Sequence, residues 1–115
     1  MGEGFYHLLE SLNPERIVVG IEAVGIGRAA LDRAVQYAKE RIAFDRPIGK
    51  NQAIAHPLAH ASAELDAAEQ MCLKAAWLFD NGRPCGKEAN AAKLLSAEAG
   101  FNACDAALQT FGGFG

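Results

Sequence analysis

The sequence predicts an all-α chain, an up-down bundle of three long helices whose core asks for a fourth. Three observations carry this. Alanine is abundant and β-branched runs are nearly absent outside Ile17-Val18-Val19, a bias toward helix over strand. Apolar residues recur at alternating spacings of three and four, the period of a helix face. The breaks between these stretches are short and hold proline, glycine and asparagine, which makes consecutive helices antiparallel neighbours.

Taken in order, residues 1–12 read as a lead-in and 13–115 as the helical domain. Asn13-Pro14-Glu15 reads as an N-cap, a proline at the first helical position and an acidic first turn. The first seam then runs through Ile17, Ile21, Val24, Leu31, Val35, Ala38 and Ile42, with Arg28 its one polar member. A second line runs through Val19, Ala23, Ile26, Ala30 and Ala34, so this helix is expected to be buried on two sides. Residues 43–51 hold Asp45, Pro47, Gly49 and Asn51 and read as a loop.

The second helix should begin near Gln52–Pro57, with Pro57 in its first turn or at a kink. Its seam is Leu58, Ala61, Leu65, Ala68, Cys72, Ala75 and Phe79, and Asn81-Gly82-Arg83-Pro84 should end it. A third helix follows from about Gly86 to Thr110, with a seam of Leu94, Ala97, Phe101, Cys104, Leu108 and Phe111. Gly112-Gly113 stops it. Each helix carries a wide apolar face, so a four-helix bundle is the natural completion, its last helix missing or supplied by another chain. A homo-oligomer is expected.

Composition narrows the function classes. The chain has 115 residues, half of them apolar, enough for one domain. Net charge is −3, which gives no reason to expect nucleic acid or an anionic membrane surface. No apolar stretch is long enough for membrane insertion, and Met1-Gly2-Glu3-Gly4 lacks the features of a signal peptide. Three widely spaced cysteines, Cys72, Cys85 and Cys104, suit reduced thiols in a cytoplasmic protein.

Two patterns invite a chemical reading and do not support it. Gly25-Ile26-Gly27-Arg28-Ala29-Ala30 matches a dinucleotide fingerprint, but it lies inside a helical seam with no strand before it. Small residues allowing close helix packing explain it better. His56, His60 and Glu64 share a helix face at zinc-ligand spacing, yet no HExxH or paired Glu-x-x-His accompanies them, and no metal is expected.

A third constellation is chemically credible. Arg41 gives a permanently charged fork suited to a pyrophosphate. Phe44 offers an aromatic surface, Gln52 and Gln109 offer amides, and Gly112 and Gly113 let backbone approach a ligand. A helix-end arginine, a loop aromatic and a glycine stop account for the same residues equally well.

The order and separation of these motifs resemble the C-terminal domain of acyl-CoA dehydrogenases. The residues that carry the resemblance are Asn13-Pro14-Glu15-Arg16, the block Glu40–Gly49 with Gln52, the Ala89–Ala99 stretch with Lys93, and Gln109–Gly115. It covers the chain from about Gly4 to Gly115. It implies a homotetrameric flavoenzyme with FAD, which oxidises an acyl-CoA between the α and β carbons and passes electrons to an electron-transfer flavoprotein. Arg41, Ala43 and Phe44 match a segment that meets the adenine-pyrophosphate end of a neighbouring subunit's FAD. Asn51 and Gln52 match a second cofactor contact, and Gln109 through Gly113, with Gly112 and Gly113, a third.

Asn13, Glu15 and Arg16 match residues lining the acyl-CoA pocket. In some members the catalytic base stands at the position of Glu15; in most it lies in a later segment. An acidic first-turn residue is the other reading of Glu15. The position after Phe44 is usually glycine in the family and is Asp45 here. Met1-Gly2 running straight into mid-domain sequence implies a domain separated from its enzyme and inactive alone. A helical oligomerisation module remains the alternative.

Overall fold

The computed structural model describes residues 2–115. Its elements are α1 (Gly4–Ser11), α2 (Asn13–Glu40), a hairpin of β1 (Ile42–Ala43) and β2 (Arg46–Pro47), α3 (Gln52–Asp80) and α4 (Gly86–Phe111). Short 3-10 turns follow the hairpin and α4. The three long helices match the expectation from periodicity. The lead-in is itself a helix, α1, with no buried residue.

Close approaches fix the direction of each helix. Asn13 of α2 lies beside Gly86 of α4, Gly20 beside Ala92 and Ser96, Gly27 beside Gly100 and Ala103, and Tyr37 stacks near Phe111 with ring centroids 4.7 Å apart. α2 and α4 therefore run parallel. Leu65 of α3 meets Gly27, and Cys72 meets Gly20, so α3 runs back between them. The result is an up-down-up rod of 70 × 24 × 16 Å.

α2 and α4 meet through small residues. A Cβ on Gly100 would stand 2.6 Å from the Ala23 carbonyl oxygen, and one on Gly27 would stand 3.1 Å from Gly100 Cα. The buried side of α4 is Ala89, Ala92, Ser96, Ala99, Gly100, Ala103, Ala107 and Thr110. This corrects the expected third-helix seam: Leu94, Ala97, Phe101 and Leu108 are exposed, Phe101 by 72%. Large side chains cannot enter an interface in which the two backbones nearly touch, so they turn outward.

α2 is corrected in the same way. Ile17, Val24, Leu31 and Ala38 are buried as expected, but Gly20, Gly27 and Ala34 complete that seam. Of the second expected line, Val19 and Ile26 are exposed, as is Ile21 of the first. Val19 and Ile26 on α2 and Phe101 and Leu108 on α4 are thus apolar side chains left in solvent, with Ile21 on the other flank of α2. α3 keeps its expected seam from Leu58 to Ala75, and Phe79 falls outside it.

Local chemistry sets the element ends. Gly82 adopts φ +64° after α3, and the Arg83 and Gly82 amides donate to the Leu78 and Phe79 carbonyls, a Schellman stop. Pro57 lies in the second turn of α3, not the first, since the helix begins at Gln52. The Ala53 carbonyl loses its helical donor there, at a residue that is exposed. Cys72 Sγ and Ser96 Oγ, both buried, satisfy each other at 3.2 Å. Arg28 bridges α2 to Asp66 and Glu69 of α3, and these carboxylates raise its pKa by hydrogen bonding.

Candidate functional site

The sequence-predicted residues fall into two groups, one at each end of the rod. The first gathers where α2 ends, α3 begins and α4 ends. Arg41 caps α2, its amide donating to the Tyr37 carbonyl at 2.8 Å. Its side chain is exposed and makes no ion pair among the described residues.

The segment after Arg41 was expected to be a loop and is a tight hairpin. Ile42 pairs with Pro47 and Ala43 with Arg46. Phe44 and Asp45 form the two-residue connection, with φ of 52° and 63°, the type I′ pattern whose twist suits a hairpin. Phe44 is a bulky residue in the left-handed region, a strained conformation, and it is 98% exposed. A carboxylate residue tolerates that region better than most, which is how Asp45 serves without glycine.

Asn51 and Gln52 stand at the start of α3. The Asn51 side chain is used locally, accepting from Arg46 at 2.6 Å, which ties the hairpin to α3. Gln52 and Gln109 are exposed, and neither side chain has a hydrogen-bond partner among the described residues. Gly112 leaves α4 with φ +61°, and neither it nor Gly113 has an atom within 4 Å of an added Cβ. Arg41, Phe44, Gln52, Gln109 and the two glycines thus present free donors, an aromatic face and open backbone at one end. These features fit an extended, anionic, aromatic-ringed group such as FAD; the Asp45 carboxylate works against it.

The second group lies at the opposite end. α2 has 28 residues, so at about 1.5 Å per residue the two groups are roughly 40 Å apart. Glu15 is exposed on the first turn of α2 and shares a shallow cleft of about 180 Å³ with Leu12, Arg16, Val19 and Lys93. Asn13 is buried, its Oδ1 accepting from Arg16 Nη1 at 3.0 Å, and the same nitrogen reaches the Leu9 carbonyl at 3.2 Å. The sequence marks Lys93 only within the Ala89–Ala99 stretch; the parallel run of α2 and α4 brings it into one cleft with Glu15.

Within α3, His60 Nδ1 stands 3.4 Å from Glu64 Oε1. No group of three or more metal-ligating side chains occurs among the described residues, and no helix there is long and apolar enough to cross a membrane.

Comparison with known proteins identifies relatives along the whole rod. The family described as "Acyl-CoA dehydrogenase, C-terminal domain" matches residues 2–115. A probable acyl-CoA dehydrogenase of Bacillus subtilis, YngJ, is 49% identical over 113 residues, covering 98% of this chain and 30% of the relative. The mitochondrial short-chain specific acyl-CoA dehydrogenase of Bos taurus is 42% identical over 114 residues, 99% of this chain and 28% of its own. The structure of butyryl-CoA dehydrogenase from Megasphaera elsdenii superposes with a TM-score of 0.93 at 35% identity, covering 99% of this chain and 30% of that one. The chain thus spans under a third of the length of these relatives.

Proposed function

The chain belongs to the acyl-CoA dehydrogenase family, matching its C-terminal domain, and from that premise we propose that it supplies two separate ligand-contacting ends to a flavin-dependent enzyme that dehydrogenates an acyl-CoA between the α and β carbons. The observation that carries the reading is the division of its exposed polar groups between two ends of one rigid rod. Arg41, Phe44, Gln52 and Gln109 cannot meet the same reacting atoms as Glu15 within one copy. Two ends that far apart suit an assembly in which one copy's Arg41 end serves a neighbour's cofactor.

FAD, when bound, supplies the hydride acceptor. The chain's own residues do the rest of what is proposed here. Arg41 places a permanent positive fork against the pyrophosphate. Phe44, with Gln52 and Gln109, orients the adenine-side end, and Gly112 and Gly113 leave room for it. Glu15, on the first turn of α2, takes an α proton in this reading, in the cleft it shares with Arg16 and Lys93. Electrons leave to an electron-transfer flavoprotein.

The exposed Val19, Ile26, Phe101 and Leu108 surface favours self-association, and it is also the observation behind the alternative reading of a non-catalytic helical interaction module. The test is anaerobic bleaching of the flavin by acyl-CoA in the full-length protein. Glu15→Gln should slow bleaching by about 10²–10⁴, the contribution of a general base. Arg41→Ala should lower FAD occupancy without altering the fold. A flavin-free full-length protein would hand the case to the interaction module. Bleaching by Glu15→Gln at the unmutated rate would leave Glu15 as a helix-start residue.

A further inference from the structure

Arg16 stands in the segment read as lining the acyl-CoA pocket, but its Nη1 faces the protein, with both its hydrogen bonds going to Asn13 Oδ1 and the Leu9 carbonyl. A guanidinium only donates, so the Asn13 atom it meets is the oxygen. The amide nitrogen therefore points elsewhere. It has no hydrogen-bond partner among the described residues, although Asn13 is only 8% exposed.

Its direction is marked by Gly86: a Cβ there would lie 3.8 Å from Asn13 Nδ2. Asn13 and Gly86 line a cleft of about 440 Å³ with Glu10, Phe79 and Arg83. α4 starts in this cleft without a side-chain cap, and its first-turn acid, Glu88, is drawn to Lys74 at 3.6 Å. No buried side-chain nitrogen or oxygen among the described residues lacks a partner, so the unpartnered Asn13 Nδ2 opens on the cleft itself, beside the uncapped amides that start α4.

We propose that Arg16 is a positioning residue and not a ligand contact: it holds the Asn13 amide with its donor turned into the α4 cleft, and it clamps α1 to α2 through Leu9. Only the identity of the ligand that meets Asn13, an oxygen acceptor of an acyl-CoA, rests on the function proposed above. Without Arg16 the Asn13 amide is free to rotate and present oxygen to the cleft, which repels an acceptor. Lysine at this position can reach one of the two oxygens and should restore part of the effect.

The experiment uses the 115-residue chain, isotope-labelled, with Arg16→Gln and Arg16→Lys. The Asn13 side-chain amide should show a nuclear Overhauser contact to Gly86 in the unmodified chain and in Arg16→Lys, and lose it in Arg16→Gln. The Tyr37–Phe111 ring contact at the far end should survive in all three, which separates lost positioning from lost folding. Free coenzyme A should shift Asn13 and Gly86 resonances and leave the Arg16 guanidinium resonances in place, with roughly 10- to 100-fold weaker binding in Arg16→Gln. An Asn13–Gly86 contact retained in Arg16→Gln overturns the proposal, as does coenzyme A shifting the Arg16 guanidinium directly. If Arg16→Gln does not fold, Arg16→Lys decides, since loss of the contact there overturns it too. No response to coenzyme A in the unmodified chain overturns the acyl-CoA reading, while the Asn13–Gly86 contact still decides the role of Arg16.

Discussion

Gly100→Ala should destabilise the bundle although alanine is the better helix former. In an isolated helix the change would contribute about 1 kcal/mol of stability. In place, the new Cβ would stand 2.6 Å from the Ala23 carbonyl oxygen and 3.2 Å from its carbon. Those atoms are backbone, so no rotamer change relieves the clash, and α2 must move from α4 by several tenths of an ångström. A gap of roughly 0.5–1 Å forfeits a quarter to a half of each dispersion contact along the seam. Overpacking typically costs about 1–3 kcal/mol, and a backbone obstacle belongs at the upper end. Subtracting the propensity gain leaves a net loss of about 2 kcal/mol, a drop of several degrees in Tm for a chain of this size. Gly25→Ala is the internal control. An added Cβ there meets nothing within 4 Å, so the same substitution should stabilise by about 0.5–1 kcal/mol. Urea unfolding followed by circular dichroism at 222 nm measures both. Equal effects of the two variants, or a Gly100→Ala protein more stable than its parent, would refute the close-packed seam.

Two further outcomes are expected. Asp45→Gly should raise stability by roughly 1 kcal/mol, because glycine adopts the φ of +63° without steric cost; calorimetry showing a lower Tm would mean that the Asp45 side chain holds the turn. The isolated chain should self-associate through its α2–α4 apolar surface, and Phe101→Asp should return it to monomer with its helicity intact; sedimentation showing the same species for both proteins would remove Phe101 from any interface.

The helices were legible because turn signals and the 3.6-residue period survive whatever packs against them. α3 was read correctly to the residue from Leu58 to Ala75, since its largest side chains do face the core. α4 was misread because size was taken as the guide to burial, whereas backbone proximity at Gly100 decides which side of the helix can go inward. Gly25 and Gly27 show how little the motif itself says: two residues apart, one faces open space and the other touches α4. The hairpin at 42–47 was missed because Phe44-Asp45 lacks the Asn-Gly or Asp-Gly that announces a type I′ turn. The partners of Arg41 and Glu15 were named by sequence, but their placement at opposite ends follows from helix length and direction, which no local motif encodes. The resemblance marks Arg16 as a pocket residue; that its Nη1 also binds Asn13 and Leu9 follows only from how α1 meets α2.

The core of this bundle is built largely of alanine, with Ala34, Ala75, Ala89, Ala92 and Ala103 fully enclosed. A conventional alanine scan would therefore pass over the centre of the molecule in silence, since its most enclosed positions are already what the scan installs. Trimming them to glycine removes one methyl each, while enlarging them to valine or leucine drives the helices apart. Sensitivity in this protein runs toward added bulk, so a map of it must be drawn by enlargement. Variants that gain a methylene in the seam, and not those that lose one, are the changes this rod is least able to absorb.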